Sequence, residues 1–273
     1  MKTAQIQMSP SSDKLRSFAE ARAIIEEKVP ADTDFIALPE MFCCPYRVDA
    51  FARYAEAEGG TMWQLCSELA KKRRCYLSAG SMPESDENGQ IYNTAYVFDR
   101  GGRQIAKHRK MHLFDIQIKN GQHFKESETL TAGNKITVFD TEFGRIGLCV
   151  CFDIRFPEVF RLMALEGARM VFVPASFNMT TGPAHWELSF RSQAVFNQMF
   201  IAGTAASQDD DSSYRAYGHT LMVDPWGRVT GQLDEEPGVL FSEIDLALAD
   251  KIRTQLPLLE NRRADIYELK TIK

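Results

Sequence analysis

Cysteine is sparse in this sequence: six residues, Cys43, Cys44, Cys66, Cys75, Cys149 and Cys151, among 273. That density excludes a small disulfide-stapled scaffold. The N-terminus turns polar by Ser9 without the apolar stretch of a signal peptide, so a cytoplasmic protein with reduced thiols is expected. No window approaches the roughly 18 consecutive apolar residues of a membrane span, and no membrane partner is expected. Positive charge is also short: 32 Lys and Arg against 37 Asp and Glu leave a formal charge of -5. A chain of that sign has no basic surplus to neutralise a phosphate backbone, so no nucleic acid partner is expected. Neither Cys43-Cys44 nor Cys149-Val150-Cys151 has the spacing of a metal-binding pair, and no paired-histidine motif follows, so no metal is expected. No Pro/Ser/Gly-rich linker, charge block or low-complexity tract divides the chain, which favours a single domain over residues 1–273.

What is present suits a globular core: 44% hydrophobic and 25% charged residues are ordinary for a soluble domain. Short β-branched or aromatic runs bounded by turn residues predict buried strands at Phe35 to Leu38, Tyr76 to Gly80, Thr94 to Phe98, Ile146 to Cys151 and Met170 to Pro174. Helical spacing predicts helices over Asp13 to Lys28, Thr61 to Lys72, Pro157 to Gly167 and His185 to Gln198. Asn88-Gly89 and Arg100-Gly101-Gly102 have the composition of tight hairpin turns. Strands and helices therefore alternate in a layered α/β architecture with mixed sheets, and the residues after Leu256 form a C-terminal arm from about 257.

Three segments carry candidate chemistry. Gly147 to Glu158 places a thiol at the C-terminal end of an apolar strand, before a turn and a helix beginning near Pro157. Free backbone N–H groups and the positive helix end there favour a thiolate that attacks a carbonyl. Cys149 and Cys151 compete for the role; in an extended strand they share a face, with Cys151 nearer the exposed end. The five histidines, His108, His112, His123, His185 and His219, announce no Cys-His pair. The better base is Glu40 in Leu38-Pro39-Glu40-Met41-Phe42, immediately after a strand, where burial can raise a carboxyl towards neutrality. Lys110, in a basic run from Lys107 that enters an apolar stretch, is the third candidate.

Together these segments resemble the nitrilase superfamily of carbon-nitrogen hydrolases, whose members carry Glu, Lys and Cys in this chain order. Leu38 to Phe42 is similar to the glutamate motif, Arg109-Lys110-Met111-His112-Leu113 to the lysine motif, and Cys151 to Glu158 to the nucleophile motif. The resemblance makes Cys151, not Cys149, the nucleophile, and places the family's second glutamate on Glu126. It implies an α-β-β-α sandwich with helices on the outer faces, no cofactor, and pairing with another subunit, for which a homodimer or higher homo-oligomer is expected. Thr180 to Glu187, Arg191 to Val195, Gly218-His219-Thr220 and Asp224-Pro225-Trp226-Gly227 resemble the omega-amidase branch in particular. That likeness implies hydrolysis of the terminal amide of small 2-oxo dicarboxylic monoamides, 2-oxoglutaramate and 2-oxosuccinamate, through a Cys thioester. The same triad in related branches serves deaminated glutathione, N-carbamoyl amines or nitriles, and a catalytically idle scaffold is the reading from another class. The backbone N–H of Phe152 is expected to join Lys110 at the oxyanion. Arg155 and Arg191 are candidates for the substrate carboxylate, because an Arg fork can bind it bidentately. Phe177 is a candidate pocket wall, and Cys43-Cys44 fall in the loop where the family shapes its pocket.

Overall fold

The structure is a computed structural model, and it describes residues 1–117, 123–209 and 214–272. One mixed sheet is built from β1 (Lys2–Gln7), β2 (Phe35–Ala37), β3 (Tyr76–Ser78), β4 (Met82–Ser85), β5 (Ile91–Phe98) and β6 (Gln104–Arg109). A short ribbon follows, β7 (Asp115–Gln117) with β8 (His123–Lys125). The second sheet contains β9 (Thr137–Thr141), β10 (Gly144–Leu148), β11 (Met170–Ala175), β12 (Phe200–Ala205), β13 (Leu221–Val223) and β14 (Val229–Gln232). The chain then returns as β15 (Gly238–Glu243), antiparallel to β1 at the edge of the first sheet. In that sheet β1, β2 and β3 are parallel and β4, β5 and β6 antiparallel; in the second, β10, β11 and β12 are parallel.

The period of two along each strand divides the core into layers. Phe35 and Ala37 point between the sheets, where Phe35 stacks on Phe172 with ring centres 4.9 Å apart. Ile36 and Leu38 point the other way, under α1 (Lys14–Lys28) and α3 (Thr61–Arg73), which follows the short α2 (Val48–Tyr54). Asp13 caps α1 by accepting from the Arg16 N–H, and Phe18, Ala21 and Ile25 form its buried stripe. On the outer face of the second sheet lie α4 (Pro157–Leu165) and α5 (Gly182–Asn197). Gly203 lets α5 approach: a Cβ there would meet the Phe190 ring at 2.4 Å. The two sheets are pinned through the core by Gln5, whose amide donates to the carbonyls of Gly203 (3.0 Å) and Leu221 (3.2 Å).

This is the α-β-β-α sandwich that the family resemblance implies, with the mixed sheets expected from the strand pattern, and both expected hairpin turns are present, with Gly89 and Gly102 at positive φ. The strand expected over Ile146 to Cys151 ends early. Cys149 still donates to the Phe172 carbonyl, but strand β10 stops at Leu148, because the Val150 N–H turns to the Asp153 carboxylate instead of a neighbouring strand. Cys149 and Cys151 therefore do not share a strand face. The last helix, α6 (Ala247–Gln255), is followed by irregular chain that leaves Ile266 and Tyr267 exposed.

Candidate active site

The site forms where β2, β6 and β10 end together. After β2 the chain turns at Pro39-Glu40 with Met41 in the left-handed region (φ 51°), held by the Ser81 hydroxyl accepting from the Met41 N–H at 3.0 Å. Gly80 makes this crossing possible: it sits at φ 58°, and any Cβ would fall 2.0 Å from the Pro39 carbonyl oxygen. Glu40 is carried into the interior, 1% exposed. Lys110 extends β6 by one bond, its N–H donating to the Asn93 carbonyl, and its side chain is fully buried. Glu126 opens a 3-10 turn after β8, with Oε2 accepting from the Phe114 N–H at 2.7 Å.

These three groups meet. Lys110 Nζ donates to Glu40 Oε1 and to Glu126 Oε1, each at 2.9 Å. Tyr46 Oη donates to Glu126 Oε1 at 2.7 Å and accepts from Lys110 Nζ at 3.3 Å, while Asn93 Nδ2 donates to Glu40 Oε1 at 2.8 Å. Every donor to Glu40 in this set lands on Oε1. Oε2 is buried with no hydrogen-bond partner among the described residues, so it is the oxygen open to a reacting proton.

Cys151 stands across from Glu40 at the start of the 3-10 turn Cys151–Arg155, at φ 45°. A non-glycine residue in that region stores strain and persists only where its surroundings hold it, a common property of reactive positions. Burial and then the Glu40 charge push the Cys151 thiol well up, and Lys110 opposes them. Cys149 is fully buried in the core and pushed up by burial and then by the Asp153 charge. Of the two thiols, Cys151 is the one that feels Glu40 and Lys110. Glu40 is raised by burial, against the pull of Lys110 and with a further push from Glu126. For Lys110 burial acts downward, yet Glu126 and Glu40 outweigh it and hold the ammonium charged. The set is thus a thiol, a carboxyl of raised affinity for protons, and a fixed cation, the equipment for attack on a carbonyl with proton transfer and oxyanion stabilisation.

The remaining expected residues fall in two groups. Phe152 follows the thiol, its ring edge-on to Phe114 (5.2 Å) and Phe156 (5.6 Å). Arg155 closes the turn, with its guanidinium 4.8 Å above the Phe177 ring and Nη1 3.0 Å from His185 Nδ1. Its Nε is buried without a partner, and no carboxylate among the described residues pairs with it. Burial pulls the guanidinium down, and Cys151 and Tyr214 are the groups that oppose the shift. Phe177 also packs edge-on against Trp186 at 5.1 Å. Arg191 is engaged elsewhere: Nε donates to the Gly227 carbonyl and Nη1 bonds Glu187. Cys44 lines the cavity beside Glu40, together with Met41, Tyr46, Ser176 and Tyr214, whereas Cys43 turns into the core under α1.

Sequence reasoning passed over Tyr46, Asn93 and Asp153. The available signals were Asn93 as a polar residue inside the apolar β5 run, and Asp153 two positions after the thiol. Asp153 is fully buried and gathers two of the five histidines, His108 and His112.

A thiol, an acid and a lysine gathered at converging strand ends of an α-β-β-α sandwich define a hydrolase of the nitrilase type. The family model for carbon-nitrogen hydrolases matches residues 2–254. Mouse omega-amidase NIT2 is 42% identical over 270 residues, covering 99% of this chain and 98% of that protein. Omega-amidase NIT3 of Saccharomyces cerevisiae is 41% identical over 275 residues, covering 98% and 94%. The crystal structure of Saccharomyces cerevisiae Nit3, described as a member of branch 10 of the nitrilase superfamily, superposes with a TM-score of 0.89 at 38% identity over 96% of both chains. The chain belongs to the carbon-nitrogen hydrolase family, and it is an enzyme that hydrolyses amides. No helix of the described residues is long and apolar enough to cross a membrane.

Proposed function

We propose that this enzyme is an omega-amidase that releases ammonia from the terminal carboxamide of 2-oxoglutaramate and 2-oxosuccinamate. The observation that carries the chemistry is the buried Glu40-Lys110-Glu126 cluster facing Cys151, with Glu40 Oε2 left open. Glu40 Oε2 takes the thiol proton as the Cys151 sulfur bonds the amide carbon. The oxyanion is stabilised by Lys110 Nζ and the Phe152 N–H, with Glu126 holding the ammonium in place. Glu40 returns the proton to the amide nitrogen, the C–N bond breaks and ammonia departs, leaving a thioester. Water then attacks that carbon, giving its proton to Glu40; the acid leaves and the thiol is restored with the same proton. A carboxyl whose proton affinity is raised by burial suits both directions of transfer. No cofactor enters this scheme.

Arg155 supplies recognition. A half-buried guanidinium whose Nε is unpaired and which has no carboxylate partner among the described residues is matched by the carboxylate of a 2-oxo dicarboxylic monoamide. The Phe152 and Phe177 rings lie 5.7 and 4.8 Å from the central carbon of the guanidinium, cation-π contacts that help to hold the fork. Identity of 42% and 41% to proteins named omega-amidases, over 99% and 98% of this chain, supports the omega-amidase reading. The enzyme is read as a single cytoplasmic hydrolase domain with a C-terminal arm from about residue 257, acting as a homodimer. Exposed Leu188 and Phe196 on α5, with Trp226, offer the apolar face a second copy would cover.

The test is ammonia release from 2-oxoglutaramate, 2-oxosuccinamate, deaminated glutathione, a simple nitrile and an N-carbamoyl amine, with Cys151→Ala as control. Greatest Cys151-dependent release from the 2-oxo monoamides is expected. A different preferred substrate overturns the substrate class, and full turnover by Cys151→Ala overturns the mechanism.

A further inference from the structure

Asp153 makes no contact with the Glu40-Lys110-Glu126 cluster, yet its carboxylate is fully buried and every direction of it is used. Oδ2 accepts from the Val150 N–H and from His108 Nε2, both at 3.0 Å. Oδ1 accepts from the His112 N–H at 2.9 Å and from His112 Nδ1 at 2.8 Å. Four donors fill the acceptor capacity of a carboxylate. Their places in the chain are informative. Val150 immediately precedes the nucleophile, whereas His108 and His112 flank Lys110 two residues before and two after. The outer sides of the histidines are fixed as well: His108 Nδ1 faces Thr137 Oγ1 of β9 at 3.1 Å, and the His112 ring stacks on Phe156 at 3.6 Å, just beyond the nucleophile turn.

We propose that Asp153 is a positioning residue that ties the Cys151 turn to the strand end carrying Lys110, and so sets the approach of the thiol to the ammonium and to Glu40. The inference rests on the roles given to Cys151, Glu40 and Lys110. Sheet pairing does not provide this link: β10 has ended at Leu148 and β6 at Arg109, and the two strands belong to different sheets. A left-handed Cys151 persists only when neighbouring bonds over-determine it. The Val150 and His112 bonds to one rigid carboxylate meet that need, and they place both reacting groups relative to a single point. Gln193 holds the far end of the turn through the Ile154 carbonyl at 2.9 Å, so with Asp153 the nucleophile turn is held from both ends.

His112 allows the test, because it is partly exposed and its two contacts can be separated. His112→Asn can keep a donor near the Nδ1 position while losing the ring; His112→Phe keeps the stack on Phe156 and loses the donor. Turnover of 2-oxoglutaramate and the rate of iodoacetamide labelling at Cys151, read on the peptide by mass spectrometry, are measured for both, with thermal melting as a check on folding. For His112→Phe we expect kcat and Cys151 labelling to fall about tenfold or more with KM within about twofold, the pattern of a misplaced reacting group. His112→Asn should stay within about threefold of the parent in both. Parental rates in His112→Phe, or equal losses in the two variants, overturn the proposal. Asp153→Asn, which sets an amide NH2 against buried donors, should reproduce the His112→Phe loss where it folds; a folded Asp153→Asn with parental kcat also overturns it. Ammonia release that survives complete labelling of parental Cys151 removes the nucleophile assignment itself, a failure distinct from the others.

Discussion

Tyr46→Phe isolates one hydroxyl at the centre of the site. The ring stays, packed against Phe51, Phe124 and Tyr214, so no cavity opens and little apolar contact is lost. What goes is a 2.7 Å bond to Glu126 Oε1, a longer 3.4 Å bond to Glu40 Oε1 and a 3.3 Å bond from Lys110 Nζ. Hydrogen bonds to charged groups contribute about 1.5–3 kcal/mol each when net effects are counted. Glu126 keeps Lys110 and the Phe114 N–H, and Lys110 keeps both carboxylates, so a loss of about 2 kcal/mol is reasonable. Realised wholly in the transition state, that is about a thirtyfold fall in kcat; realised wholly in the folded ground state, it is a fall of about 4–8 °C in Tm. The hydroxyl is turned towards the Lys110-Glu126 pair, so the kinetic part belongs in kcat, with KM little changed. Steady-state ammonia release and a melting curve on the same preparation read both. Parental kcat together with parental Tm, or a loss confined to KM, refutes the role given to this hydroxyl.

Arg155→Ala should raise KM for 2-oxoglutaramate by about tenfold or more while a neutral amide of similar length is affected far less, since the lost fork bonds only the carboxylate. The acid limb of kcat/KM should lie above the ordinary carboxyl value of 4.5, because burial raises Glu40 and the base must be ionised to accept the thiol proton. Its folded proton affinity exceeds the unfolded one, so the stability Glu40 contributes is present at low pH and lost as pH rises through its folded value; Glu40→Gln should accordingly remove that decline from a plot of Tm against pH. Gly203→Ala, which drives a methyl to 2.4 Å from the Phe190 ring, should cost about 1–3 kcal/mol by overpacking and lower Tm without a selective effect on KM.

Much of the architecture is legible in the chain because its signals are local. The cap at Asp13, the Phe18-Ala21-Ile25 stripe, the glycines at the two hairpins and the apolar runs of β2, β5 and β11 each follow from a few neighbouring residues. The end of β10 is not legible in this way. Cys149 and Val150 are apolar and fully buried, as strand residues are, but the Val150 N–H leaves the ladder for Asp153, a partner that a polar residue beyond the run does not advertise. The cluster around Lys110 is divided similarly. Motif order brings Glu40, Lys110 and Cys151 to notice, whereas Tyr46 and Asn93 are recruited by strand ends distant in the chain, a relation set only by tertiary packing. Arg155 and Arg191 look alike in sequence; the contrast between an unpaired Nε and a guanidinium already tied to Gly227 and Glu187 exists only in three dimensions.

The most direct test of the account is acid quench of the enzyme during turnover of 2-oxoglutaramate, followed by peptide mass mapping. The thioester route predicts an acyl adduct, the substrate less ammonia, on Cys151 alone and absent from Cys151→Ala. An adduct on Cys149 or another residue, or steady ammonia release with Cys151 unmodified throughout, contradicts it.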